Sequence, residues 1–373
     1  MEGSLENPSG RTSACDGEVH DMSTFGVAAR PGLRGVAAAV LVVLLGSAGV
    51  AAAQEPHPET FTRHTELARE YWLYQPPGYD HDDEEQPALP LVVYLHGCNQ
   101  TAPDVAVGTR WNELAAREGL FVAYPEQSPA ANGTQCWNWF LPEHQRRGAG
   151  EPSIVVAITE AVMATRKIDP SRVYVIGASA GADMATILGA AYPDRFAAIG
   201  VLAGCAYQTC ADVTGDAALA AMGEHARSMP VFAVQGTADA VNNLALGQGM
   251  VQQWLGTNDL ADDGEANHSV SRLPASREHT VPQGTPVPGS GDPCIGNARF
   301  PCLGGVLGLQ EAYPTTVEHY LDAVGRTLVE VWLVHGLGHA YPAGNPEGSF
   351  TDPLGPDVTT GAWAFFQDHP LPG

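Results

Sequence analysis

The chain has 373 residues, of which 18 are basic and 42 acidic, for a formal net charge of −24 at pH 7. Such an acidic excess repels a phosphate polyanion, so no nucleic acid partner is expected. The length beyond a short leader suits one α/β domain with loop insertions.

Arg30 and Arg34 precede an apolar run over residues 36–45, which closes on Ala51-Ala52-Ala53 before Gln54. This is the layout of a secretory signal. The run is shorter than the ~18 residues that a membrane span needs, so export is expected over a stable membrane anchor. No cysteine follows the small-residue site, which leaves lipid attachment without a chemical handle. Residues 1–53 therefore read as leader, with Met22 as the expected translation start because the stretch before it is polar. Residues 54–373 read as the mature, extracellular domain.

Taken in chain order, apolar runs rich in Val, Ile and Tyr alternate with helix-length amphipathic stretches. That is the pattern of a parallel sheet buried on both faces. Strands are predicted over 89–95, 120–124, 173–176, 198–202, 231–235 and 328–334, and helices over 111–118, 154–167, 181–191 and 244–255. Residues 71–74 and 317–321 are candidate antiparallel edges, the second turned back by Gly325 into the strand at 328. The fold class expected is α/β, a mostly parallel sheet with helices on both faces. From 262 to 308 the periodicity fails among prolines and glycines, and this stretch reads as an irregular insertion. A role in shaping a binding site and a tolerated surface loop are both open for it.

Gly177-Ala178-Ser179-Ala180-Gly181 matches G-x-S-x-G directly after the strand at 173–176 and before a helix. A nucleophilic serine of the α/β-hydrolase fold stands on such a strand-to-helix turn, where flanking glycines prevent clashes. A serine hydroxyl attacks only when a base removes its proton. The fold orders the triad Ser, then Asp or Glu, then His. Asp239 lies just past the strand at 231–235, and His339 just past the strand ending at Val334, so Ser179, Asp239 and His339 are the expected catalytic residues. His335 is a weaker alternative base, and Asp239 could instead be a simple turn residue. An oxyanion hole needs two backbone N–H groups. Ala180 and Cys98, the latter on the loop His96-Gly97-Cys98-Asn99-Gln100, are the candidates.

Six cysteines follow the leader, namely Cys98, Cys136, Cys205, Cys210, Cys294 and Cys302. An even set in an exported chain points to disulfides. None has zinc-site spacing, so no metal is expected. Trp137, Trp139 and Phe140 read equally as an apolar groove for ester chains or as core packing.

These blocks resemble the esterases of the poly(3-hydroxybutyrate) depolymerase type. The resemblance is carried by Leu95 to Gln100, by Cys136-Trp137-Asn138-Trp139-Phe140, and by His144-Gln145-Arg146-Arg147-Gly148 with Gly150-Glu151-Pro152. Residues 173–181, Gly336 to His339, and Gly355-Pro356-Asp357 before Trp363 continue it. It implies the α/β-hydrolase fold, no cofactor, and Ser179, Asp239 and His339 as the triad. It also implies an ester substrate, either a polyester or oligoester of the hydroxybutyrate type or a feruloyl or acetyl ester of plant polysaccharide. Cys98 and Cys136 both lie in these family-like blocks, so a bridge between them is expected; Cys205 with Cys210 and Cys294 with Cys302, each closing a short loop, is the choice made for the others among the 15 pairings that six cysteines allow. Three positions depart from the family pattern: Ala182, Gln235 before Gly236-Thr237, and Tyr341 after the histidine. They sit beside the triad, so Tyr341 joins Trp137 and Trp139 as a candidate substrate contact. Outside this class, a peptidase of the same fold and a non-catalytic binding protein are the competing readings. Oligomeric state is not legible.

Overall fold

A computed structural model describes residues 60–208, 210, 212–281 and 312–372. All of them fall in one unit that runs from Gln54 to Gly373. In chain order the strands are β1 (Phe61–Glu66), β2 (Arg69–Tyr74), β3 (Leu89–Leu95), β4 (Phe121–Pro125), β5 (Ile168–Ala178) and β6 (Ile199–Leu202). They continue as β7 (Val231–Gly236), β8 (Ser276–Thr280), β9 (Thr315–Leu321) and β10 (Thr327–Val334), with a short pair β11 (Tyr341–Pro342) and β12 (Thr351–Asp352). The helices are α1 (Ala102–Gly108), α2 (Trp111–Glu118), α3 (Gly150–Thr165), α4 (Ala180–Ala191), α5 (Asp216–Met222), α6 (Leu244–Asp263) and α7 (Val358–Gln367).

The ten long strands form one sheet in the order β1-β2-β4-β3-β5-β6-β7-β10-β9-β8. Its centre, β4 to β10, is parallel, while β1, β2, β9 and β8 pair antiparallel at the two edges. This is the α/β-hydrolase fold. The strand period of two explains why it has two cores. Leu91, Val93, Val173, Val175, Val231 and Ala233 face α3, α4, α5 and α6. Their neighbours Val92, Tyr94, Tyr174, Ile176, Phe232 and Val234 face α1, α2 and α7.

Three expectations are corrected. Residues 262–308 are not wholly irregular: Asp262 and Asp263 end α6, and residues 276–280 form β8, paired to β9. Those five residues are all exposed, so no apolar alternation marks them. The part beyond 281 lies outside the described residues. Helix α6 runs past Leu255 to Asp263 despite Gly256, a glycine that close packing requires, since a Cβ on it would stand 1.9 Å from the Thr214 carbonyl oxygen. Strand β1 exposes Arg63 and Thr65, and no apolar alternation announces it in the sequence.

Candidate active site

The β5–α4 turn holds Ser179 at φ 55° and ψ −126°. This backbone region is unfavourable for any residue with a Cβ and costs of order 1–3 kcal/mol, which the surrounding structure must hold in place. The flanks leave no room for side chains. A Cβ on Gly177 would lie 2.4 Å from the Gly181 carbonyl carbon, and one on Gly181 would lie 2.1 Å from the Leu95 carbonyl oxygen. The Ser179 N–H donates to the Leu202 carbonyl at 2.9 Å, which ties the turn to β6.

Because β7 and β10 are parallel neighbours, their outgoing loops emerge side by side. The loops bond to one another: the Ala238 N–H donates to the Leu337 carbonyl at 3.0 Å, and the Gly336 N–H to Thr237 Oγ1 at 3.0 Å. Asp239 Oδ1 accepts from the N–H groups of Val241 and Asn242 at 2.8 and 2.9 Å. Its Oδ2 meets His339 Nδ1 at 2.8 Å, with the Asp239 side chain fully buried. A carboxylate only accepts, so Nδ1 is the nitrogen that donates, which leaves Nε2 as the one turned to other partners. His339 and Ser179 line one narrow cleft of about 40 Å³, together with Gln100, Tyr341 and Phe350. His335 points elsewhere, with its Nε2 on Thr316 Oγ1 at 2.7 Å.

The loop after β3 packs against the serine turn, since a Cβ on Gly97 would lie 3.4 Å from Ser179 Cβ. The N–H groups of Cys98 and Ala180 meet no acceptor among the described residues. A disulfide joins Cys98 to Cys136, and a second joins Cys205 to Cys210. Cys294 and Cys302 lie outside the described residues.

Below the loop, His96 is wholly buried. Its Nδ1–H donates to the Gly97 carbonyl at 2.7 Å while its Nε2 accepts from the Gln127 N–H at 2.9 Å. Burial lowers its pKa from 6.5 to about 4, so the ring is neutral. Glu151, also buried, accepts from the backbone and side-chain nitrogens of Asn138 at 2.7 and 2.8 Å and from Gln127 Nε2. Arg69 completes the group by donating to Gln127 Oε1. Sequence reading found no role for Arg69 or Gln127, which lie in no motif, and it quoted Glu151 as part of a block without assigning it a task.

The aromatic candidates divide. Trp137 is fully buried and donates its Nε1–H to the His96 carbonyl at 3.1 Å, so it packs beneath the loop and is not among the residues that line the cleft. Its indole finds both an apolar seat and an acceptor there, which is why the core takes it. Trp139 is half-buried against Phe140 and does not border the cleft. Tyr341 does border it, while its hydroxyl bonds Thr359 at 2.6 Å. Asp183, one turn along α4 from Ser179, was also missed. It is buried, accepts from the Cys205 N–H at 2.8 Å, and burial raises its pKa from 3.8 to about 7. Among the described residues no cluster of metal-ligating side chains occurs, and no helix is long and apolar enough to cross a membrane.

A family model described as Esterase PHB depolymerase matches residues 69–268. Poly(3-hydroxyalkanoate) depolymerase C of Paucimonas lemoignei is 32% identical over 273 residues, which cover 71% of this chain and 58% of that protein. Feruloyl esterase B of Neurospora crassa is 36% identical over 118 residues, which cover 31% of this chain and 39% of that protein. This chain thus spans less than two thirds of the length of these relatives. An acetyl xylan esterase from Aspergillus awamori shares the fold with a TM-score of 0.53 at 19% identity, over 75% of this chain and 93% of that one.

Proposed function

The chain belongs to the esterase family of PHB depolymerase type, and on that premise we propose that it is a secreted serine carboxylesterase acting on polyester or oligoester substrates of the hydroxybutyrate type. The observation that carries the reading is the 2.8 Å contact of Asp239 with His339 Nδ1, with His339 lining the same cleft as Ser179. In this reading His339 takes the Ser179 proton as Oγ attacks the ester carbonyl carbon. The tetrahedral oxyanion is stabilised by the N–H groups of Cys98 and Ala180. Collapse breaks the ester C–O bond, His339 returns the proton to the leaving alcohol, and an acyl-enzyme remains. Water, deprotonated by the same His339, then releases the acid and restores Ser179. The cycle balances with water as its sole co-reactant.

Residues 1–53 serve as leader in this reading, and the domain from Gln54 acts outside the cell. Two disulfides support that location, since they persist in oxidising compartments. A second substrate reading has one observation in its favour. A cleft of about 40 Å³ holds only a few heavy atoms, given that one water needs ~10–15 Å³, and this suits a short acyl group such as acetyl. The test compares kcat/KM on soluble hydroxybutyrate oligomers, acetylated xylan, methyl ferulate and a peptide p-nitroanilide. We expect the oligomers to lead by at least about tenfold, a difference of ~1.4 kcal/mol. Preference for acetylated xylan would move the assignment to polysaccharide, and cleavage of the anilide alone would make the protein a peptidase.

A further inference from the structure

The loop between β11 and β12 holds one residue in a costly conformation. Phe350 has φ 53°, in the left-handed region that a residue with a Cβ enters only at a cost. Its ring does not recover that cost by packing, since the residue is 52% exposed. The surrounding bonds hold the strain instead. The Phe350 carbonyl accepts from the Tyr341 N–H at 2.7 Å, and the Ser349 carbonyl before it accepts from Gln100 Nε2 at 3.0 Å. The Ser349 N–H donates to Asp104 Oδ1 at 2.9 Å, and Thr351 Oγ1 donates to the carbonyls of Asn345 and Gly348, both at 2.9 Å. Gly348 in turn packs tightly on α1, where a Cβ on it would stand 2.3 Å from Gly108 Cα.

These bonds tie Phe350 to the reacting groups from two sides. Tyr341 lies just past His339, and Gln100 Oε1 accepts from the Gly97 N–H at 2.9 Å in the loop after β3. Phe350 itself borders the cleft that Ser179 and His339 line. The other bulky apolar residues of that lining, such as Val105, Leu202, Val234 and Tyr341, are buried, so Phe350 is the one that offers its face to the outside. Strain of this kind persists where the structure over-determines it, and it clusters at ligand clamps and active sites.

We propose that Phe350 is a specificity-determining residue, whose ring is the platform for the ester unit next to the one that Ser179 attacks. A cleft of about 40 Å³ holds a single short acyl group, so the rest of an oligoester lies outside it. There the exposed ring is the apolar seat, and a saturated chain laid across it removes apolar surface of both from water. The preference it confers is for chains of several hydroxy-acid units over a single unit. That the chain is an oligoester rests on the function proposed above.

The experiment compares the methyl ester of the linear 3-hydroxybutyrate trimer with methyl 3-hydroxybutyrate, which differ only in chain length. Wild-type kcat/KM should be about tenfold higher on the trimer, and Phe350→Ala and Phe350→Gly should bring the ratio of the two close to one, chiefly through KM. Phe350→Tyr keeps the ring and should keep the ratio. Because glycine adopts φ 53° freely, Phe350→Gly should unfold at a higher temperature than Phe350→Ala, and it carries the test if Phe350→Ala does not fold. The reverse order would overturn the strain on which the proposal stands. A wild-type ratio near one, or a ratio that Phe350→Gly leaves unchanged, overturns the proposal itself. Equilibrium dialysis of the trimer ester against Ser179→Ala, with and without Phe350→Gly, reads the same contact without turnover. Binding about tenfold weaker without the ring, beside a wild type that hydrolyses neither ester, would refute the esterase reading alone, whereas equal binding would overturn the contact.

Discussion

Single side chains bear the chemistry, and their removal has graded costs. Ser179→Ala is expected to lower kcat on a p-nitrophenyl ester by roughly 10⁴ to 10⁶, with His339→Ala nearly as damaging. Asp239→Asn should cost less, and the double variants should not be additive because the three act as one unit. Wild-type turnover in any of the three would contradict the assignment. Two buried titratable groups near the site oppose one another across mildly acidic pH. The folded-state pKa of Asp183 is raised from 3.8 to about 7, so its contribution to stability is present below 3.8 and is lost as pH rises towards 7. That of His96 is lowered from 6.5 to about 4, so its contribution is present above 6.5 and is lost as pH falls towards 4. Between about 4 and 6.5 the two slopes oppose one another. Asp183→Asn keeps the acceptor for Cys205 and removes one slope. Its stability should rise with pH across that window by up to ~1.4 kcal/mol per unit, as urea melts at several pH values will show. A variant whose stability depends on pH as the wild type's does would refute the account.

Elements place those side chains, and here the sequence was legible where periodicity is strong. The central strands read correctly because burial on both faces demands unbroken apolar runs, and the serine turn read correctly because Gly177 and Gly181 have no alternative. Strands β1 and β8 were not legible. Both are edge strands with charged residues, and pairing with a neighbour, which no local pattern records, makes them strands. The support under the loop after β3 was hidden for a related reason: Arg69, Gln127 and Glu151 come from β2, the loop after β4 and α3, and meet only in the folded chain. Trp137 shows the limit of composition, since an aromatic block reads alike as groove or core. Glu151→Gln tests the support. Its amide nitrogen would face donors from Asn138 and Gln127, and leaving them unmatched should cost roughly 1–3 kcal/mol and reduce kcat more than it raises KM. Unchanged stability together with unchanged kcat would show that the network does not position the loop.

At the scale of the whole molecule the two described disulfides constrain the unfolded chain unequally. Cys98 and Cys136 are 38 residues apart and Cys205 and Cys210 only 5. Loop closure then predicts losses of roughly 4 and 2 kcal/mol when each pair becomes serine. Only the first pair joins the oxyanion loop to the Trp137 segment, so only that double variant should also lose activity. Chemical denaturation with parallel assays will check both, and equal effects on stability and rate would contradict the unequal roles. The broad fold follows from the alternation of strand and helix patterns along the chain, whereas substrate choice depends on a cleft whose walls come from distant loops such as that of Tyr341 and Phe350. The most direct measurement of the central claim is intact-protein and peptide mass spectrometry of the wild type after reaction with a p-nitrophenyl alkylphosphonate, alongside residual ester hydrolysis. One phosphonyl group on Ser179, lost hydrolysis in proportion to labelling, and no adduct on Ser179→Ala are expected. Full hydrolysis with Ser179 labelled, or labelling at another residue, would contradict the account.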